Sequence, residues 1–167
     1  MKTAAVILVV LVLIAGALLV YQLVNLTLAV TPVSAQVIPC KDQEPEFRRV
    51  QQAVDERALI GTALQQAVPG NAGDYSFIIY SVTVKNNGFL PARMTEIQVS
   101  PLASDMLFYT DGSAQGALPN ITVPAGGSQT LRCVLLTQSI PGMHAVRDLY
   151  VTYYIWGHPF TVKVTYG

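Results

Sequence analysis

A run of seventeen residues without a charge or a polar side chain, AAVILVVLVLIAGALLV at 4–20, constrains this chain more than any other stretch. Apolar character continues to Val30, interrupted only by Tyr21, Gln22, Asn25 and Thr27. A helix needs about 20 mostly apolar residues to cross a hydrocarbon core of roughly 30 Å, so residues 4–28 are long enough. A helix buried in a soluble core would keep a polar face, and this run has none. The lipid bilayer, met through residues 4–28, is the first partner the chain predicts.

Two readings of this segment compete. A cleaved secretory signal has a charged start, a short apolar run and a small-residue site soon after. Lys2 supplies the charge, and Val33-Ser34-Ala35 would serve as a site that releases a secreted domain after Ala35. The apolar run outlasts what a signal needs, which favours an uncleaved signal anchor over residues 1–30. Positive charge near the ends sets orientation. Lys2 and the α-amino group lie on one side, and the other flank has no Lys or Arg before Lys41. The expected topology is single-pass in the cell membrane, with the amino terminus cytoplasmic and the rest extracytoplasmic.

Beyond the anchor remain about 130 residues, enough for one ordinary domain with its own core. Formal net charge is zero, so neither nucleic acid nor an anionic surface is an expected partner. Residues 31–44, with Pro32, Pro39, Ser34 and Gln36, read as a linker. The only charge-rich stretch follows, with nine of the chain's twenty charged residues in 41–57. Pro45 suits a helical first turn, Glu44 and Glu46 suit the positive end of the dipole, and Pro69-Gly70 is a stop. Phe47, Val50, Val54, Ala58, Gly61, Leu64 and Val68 recur at helical spacing, predicting an amphipathic helix over 45–70 that packs on the domain. Residues 59–62 break the stripe, so the second half is also readable as a first strand.

From Tyr75 the period becomes two. Ile78, Tyr80, Val82 and Val84 share one face, and Asn86-Asn87-Gly88 closes the strand with residues that tolerate positive φ. Further strands read at 92–100, 106–109, 118–123, 129–137, 147–156 and 160–166. The short 118–123 segment, between Pro119 and Pro124, suits an edge. Turn signals fall at Asp111-Gly112-Ser113, Ala125-Gly126-Gly127-Ser128, Pro141-Gly142 and Gly157-His158-Pro159. About seven strands with no helix between them make residues 71–167 an antiparallel β-sandwich, in a mainly β chain.

The step Val82-Thr83-Val84-Lys85-Asn86-Asn87-Gly88-Phe89-Leu90-Pro91, with the proline-glycine-serine step at 118–128, resembles immunoglobulin-like and fibronectin-III-like sandwiches. Water-stress-type and bacterial cell-adhesion-related domains belong to that group. The likeness covers roughly 75–167, and the antibody order of Cys, Trp, Cys is absent because Trp156 follows both cysteines. It implies an interaction or spacer module and carries over no site residue.

Chemistry is sparse. His144 and His158 stand in turns with no ligand partner at metal-binding spacing. No nucleophile elbow, calcium loop or phosphate loop occurs, so no enzyme, metal or cofactor is expected. Asn120-Ile121-Thr122 has the form of a glycosylation sequon. Outside the cytoplasm Cys40 and Cys133 could oxidise to a bridge, or be a core hydrophobe and a separate thiol; both readings stay open. Residues 75–167 hold only nine charged side chains but seven of the eight tyrosines. Tyr150, Tyr154 and Trp156 share the face opposite Leu149, Val151, Tyr153 and Ile155. That face is either an interaction surface for a protein partner in the envelope or the seat of the 45–68 helix. The expected function is a membrane-anchored structural or protein-interaction module of the cell envelope. The alternative is an envelope domain that binds a sugar or peptide on the Tyr/Trp surface.

Overall fold

The computed structural model describes residues 2–25, 27–59, 61–110, 121–140 and 146–166. The predicted turns at 111–113 and 141–142, Pro119, the sequon's Asn120 and His144 lie outside them. Helix α1 spans Lys2–Val24, and its Thr3–Val24 portion is long and apolar enough to cross a membrane. It closes at Asn25, whose backbone N–H and side-chain amide both donate to the Tyr21 carbonyl. The asparagine thereby satisfies a carbonyl that the last turn would leave orphaned.

The remainder is mainly β, with nine strands among the described residues rather than seven, in two antiparallel sheets. The five-stranded sheet runs β1 (Ala29–Pro39), β3 (Tyr75–Lys85), β7 (Ser128–Gln138), β5 (Asp105–Thr110) and β2 (Thr62–Ala63). The four-stranded sheet runs β6 (Ile121–Val123), β4 (Ala92–Val99), β8 (Arg147–Ile155) and β9 (His158–Tyr166). As the sequence suggests, β6 is an edge.

Residues 29–39 are the largest departure. They form an edge strand, not a linker, paired with β3 from Ala29↔Lys85 to Pro39↔Ser76, with a slip between Pro32 and Ser34. An edge position tolerates proline, because one side of the strand needs no donor. The second departure is the helix. Helix α2 covers only Glu44–Asp55 and ends at Arg57, whose φ of 55° turns the chain left-handed. The following segment returns along the sheet as β2, in keeping with the strand reading of its second half. The third is the turn after β3. No left-handed residue occurs at 86–88. Instead the buried Asn86 side chain donates to the carbonyls of Leu90 (2.7 Å) and Val123 (3.1 Å) and accepts from Gly88 N–H (3.0 Å).

Two apolar layers result. Between the sheets lie Ile78, Tyr80, Val82, Met94, Cys133, Leu135, Leu149, Val151 and Tyr153. On the outer face of the five-stranded sheet, Phe47, Val50 and Val54 of α2 cover Tyr75, Phe77, Ile79, Leu107 and Leu136. The Phe47 and Tyr75 rings stack with centroids 5.2 Å apart. The five-stranded sheet is thus buried on both faces along much of its length, which explains the scarcity of charge in residues 75–167. One charged pair does cross the interior: Arg147 of β8 reaches Asp105 of β5 at 3.2 Å, with 8% and 0% of their side chains exposed.

Candidate interaction surface and the joint with the apolar helix

Among the described residues, no helix lies on the outer face of the four-stranded sheet. Helix α2 packs on the other sheet, so the expectation that the 45–68 helix covers Tyr150, Tyr154 and Trp156 does not hold. Along β8 the residues Leu149, Val151, Tyr153 and Ile155 are buried, while Tyr150 and Thr152 are half-buried and Tyr154 is exposed. Tyr150 lies across from Gln98 on one side and Lys163 on the other, and Tyr154 across from Arg93 and Pro159. Around them runs a polar ladder. Thr152 and Thr161 hydroxyls pair at 3.1 Å, Gln98 donates to Glu96 at 2.6 Å, and Lys163 meets Asp148 at 2.9 Å. The Thr165 hydroxyl and Lys163 together hold the Asp148 carboxyl below its usual range, and Asp148 in turn raises Lys163.

Trp156 belongs to a different element. It forms, with Gly157, the two-residue turn between Ile155 and His158, and both residues are left-handed, at φ 53° and 77°. Such turns require positive φ at both central positions, which is why Asn-Gly is their usual occupant. Trp156 is 69% exposed. A depression of about 720 Å³ lies beside it, bordered by Pro91, Arg93, Glu96, Tyr154 and Trp156. Tyr150 is not part of its wall, so the three aromatic residues do not line a single pocket.

The cysteines do not meet. Cys133 faces the space between the sheets, and Cys40 lies in the layer under α2, on the opposite face of the five-stranded sheet. Both are free and buried, and burial pushes each thiol up to about 12. The bridge reading is therefore corrected. Strand alternation assigns odd-numbered β7 residues inward, whereas Cys40 follows the edge strand outside. Among the described residues, no group of three or more His, Cys, Asp or Glu side chains lies together.

The sequence reading missed the joint between the apolar helix α1 and the β domain. The Tyr21 hydroxyl donates to Asn87 O at 2.9 Å, and its ring stacks on Phe89 at 6.5 Å. Phe89 N–H donates to Gln22 Oε1 at 2.9 Å, and Gln22 is only 1% exposed. Gly88 approaches so closely that a Cβ there would stand 3.0 Å from Gln22 Oε1 and 3.3 Å from Asn25 O. Leu28 N–H donates to the Tyr153 hydroxyl at 2.9 Å, tying the segment after α1 to β8. The polar interruptions Tyr21, Gln22 and Asn25 were the signal. They are the positions where an otherwise apolar helix touches protein.

No family model and no curated protein matches the chain. Among solved structures, a FixG-related protein from Vibrio parahaemolyticus is similar at a TM-score of 0.41 and 16% identity, over 84% of this chain and 91% of that one. A likeness at that level carries no argument about fold detail or function.

Proposed function

We propose that this chain is a single-pass, membrane-anchored β-sandwich of the cell envelope, with a cytoplasmic amino terminus and residues 25–167 outside. In this reading it is a non-enzymatic structural or protein-interaction module of immunoglobulin- or fibronectin-like type, and the outer face of the four-stranded sheet is its partner surface. One observation carries the reading: α2 covers the outer face of one sheet, while no described helix covers the other, which carries half-buried Tyr150 and exposed Tyr154. Tyrosine supplies large contact area with few rotors, and is enriched where interfaces form. The sugar- or peptide-binding alternative asks for a pocket shared by Tyr150, Tyr154 and Trp156, and Tyr150 stands apart from the depression that the other two border.

The test is photo-crosslinking in cells of the source organism, with a benzoylphenylalanine in place of Tyr150, and a second probe in place of Arg48 on the exposed side of α2. A discrete adduct from position 150 but not from 48 is expected. Adducts from 48 alone, or from neither, would remove the assignment of this face.

A further inference from the structure

Strand pairing brings a defined set of loops to the end of the sandwich where the membrane helix arrives. β1 begins opposite Lys85, the last residue of β3. The β3–β4 loop at 86–91 therefore lies at that end, and Ala92 pairs with Val123 there. Arg93 pairs with Tyr154, so the β8–β9 hairpin with Trp156 at its tip projects from the same end. Two independent contacts fasten this end to the helix exit: Tyr21 and Gln22 on the 87–89 loop, and Leu28 on Tyr153. Trp156 is three residues beyond Tyr153, a reach of about 10 Å at the strand rise of about 3.3 Å per residue.

This end presents apolar and aromatic side chains beside the exposed cations Lys85 and Arg93. Phe89 is 45% exposed and Trp156 69% exposed, and Tyr21 lies in the last turn of the span. Trp156 also occupies a backbone position that disfavours it. A bulky residue at φ 53° is an outlier, and such outliers persist chiefly where function requires them. Tryptophan and tyrosine collect at membrane–water interfaces, where an apolar ring with one polar atom is half-wet and half-dry.

We infer that the membrane-proximal end of the sandwich is seated on the bilayer, with Trp156 and Phe89 inserted at the headgroup level beside Tyr21, so that the β8–β9 hairpin is a second lipid contact next to the anchor. The joint contacts of Tyr21, Gln22 and Leu28 all lie at the helix exit. A hairpin contact about 10 Å away adds a second point of support, so that the bilayer as well as the joint sets which way the outer face of the four-stranded sheet points. The inference rests on α1 spanning the bilayer but not on the identity of any protein partner.

Trp156 is the only tryptophan in the chain, so its fluorescence reports on this one position. The purified full chain is reconstituted into phosphatidylcholine vesicles, and flotation with the vesicles establishes the anchor separately. Lipids carrying a spin label at the top of the acyl chain are expected to quench the emission by half or more. Acrylamide in the water should quench it several-fold less than it quenches free N-acetyltryptophanamide. A distal reporter, Thr165→Trp in a Trp156→Phe background, should show the opposite pattern, since Thr165 lies opposite Asp148 at the far end of β9. Floated protein whose Trp156 is fully open to acrylamide and untouched by the lipid label would overturn the seating while leaving the anchor intact. Equal lipid quenching at positions 156 and 165 would overturn it too, because the contact would then not belong to the hairpin.

Discussion

Removing Asp105 should damage this fold more than its position in a short strand suggests. Its carboxylate accepts from Arg147 Nη2 at 3.2 Å and Nε at 3.4 Å, and from the Leu102 N–H at 2.7 Å. The partners come from different sheets, so the pair ties β5 to β8 across the core. In Asp105→Ala, the Arg147 guanidinium stays buried, and among the described residues the Val146 carbonyl at 2.8 Å is its remaining acceptor. An uncompensated buried charge of this kind costs about 3–5 kcal/mol. Domains of this size are stable by roughly 5–15 kcal/mol, so the loss is from about a fifth to the whole of the margin. The pair as a whole is a weaker stabiliser than that figure implies, because desolvation offsets much of its attraction. Replacing both partners, Asp105→Val with Arg147→Met, should therefore recover most of the loss. Urea unfolding of the full chain in detergent, followed by circular dichroism, measures all the variants of the cycle. A loss below about 1 kcal/mol for Asp105→Ala would mean the pair behaves as a surface ion pair. A double variant no better than the single would refute the buried-charge reasoning as well.

Two further outcomes follow from the same packing. Burial raises Tyr75, Tyr80 and Tyr153, and lifts Tyr166, Cys40 and Cys133 with Cys at about 12 and Tyr166 at about 12. The folded state holds these protons more tightly than the unfolded chain, whose thiols and phenols ionise near about 8.5 and 10. Stability is then whole below about pH 8.5 and declines as pH rises towards the folded values, by about 1.4 kcal/mol per pH unit for each group in play. Melting temperatures from pH 7 to 11 check this, and a flat profile would contradict it. At the joint, Gly88→Val should push Gln22 and Asn25 away and speed proteolysis at 25–28 several-fold, with little change in the melting of the sandwich; unchanged cleavage would show that the close approach is not needed.

The elements legible in the sequence share one property, a chemically distinct face. β4, β8 and β9 alternate because one side of each meets the interior, β3 and β7 do so only towards Lys85 and Ser128 and are buried on both faces elsewhere, and residues 4–20 are apolar and exposed all round. The placement of Tyr150 and Tyr154 on one face follows from the same alternation. Where no such contrast exists, the chain gives no signal. β1 is held by backbone pairing with β3 and leaves most of its side chains in solvent, so its prolines and small residues resemble a linker. The stripe from Phe47 to Val68 keeps its helical spacing on either side of the break at 59–62, yet Arg57 turns left-handed and only its first half stays helical. The apolar period alone does not say where the helix ends, because the backbone at Arg57 decides it.

The sequence by itself determined that an apolar helix precedes a two-layered β domain, since hydrophobic period is a local property. Tertiary structure decided which sheet α2 covers, that Cys40 and Cys133 lie in separate layers, that Arg147 and Asp105 meet, and that Trp156 stands at the same end as Tyr21. Each of these depends on pairing between residues tens of positions apart, and loop closure at that range leaves no mark on the neighbouring residues.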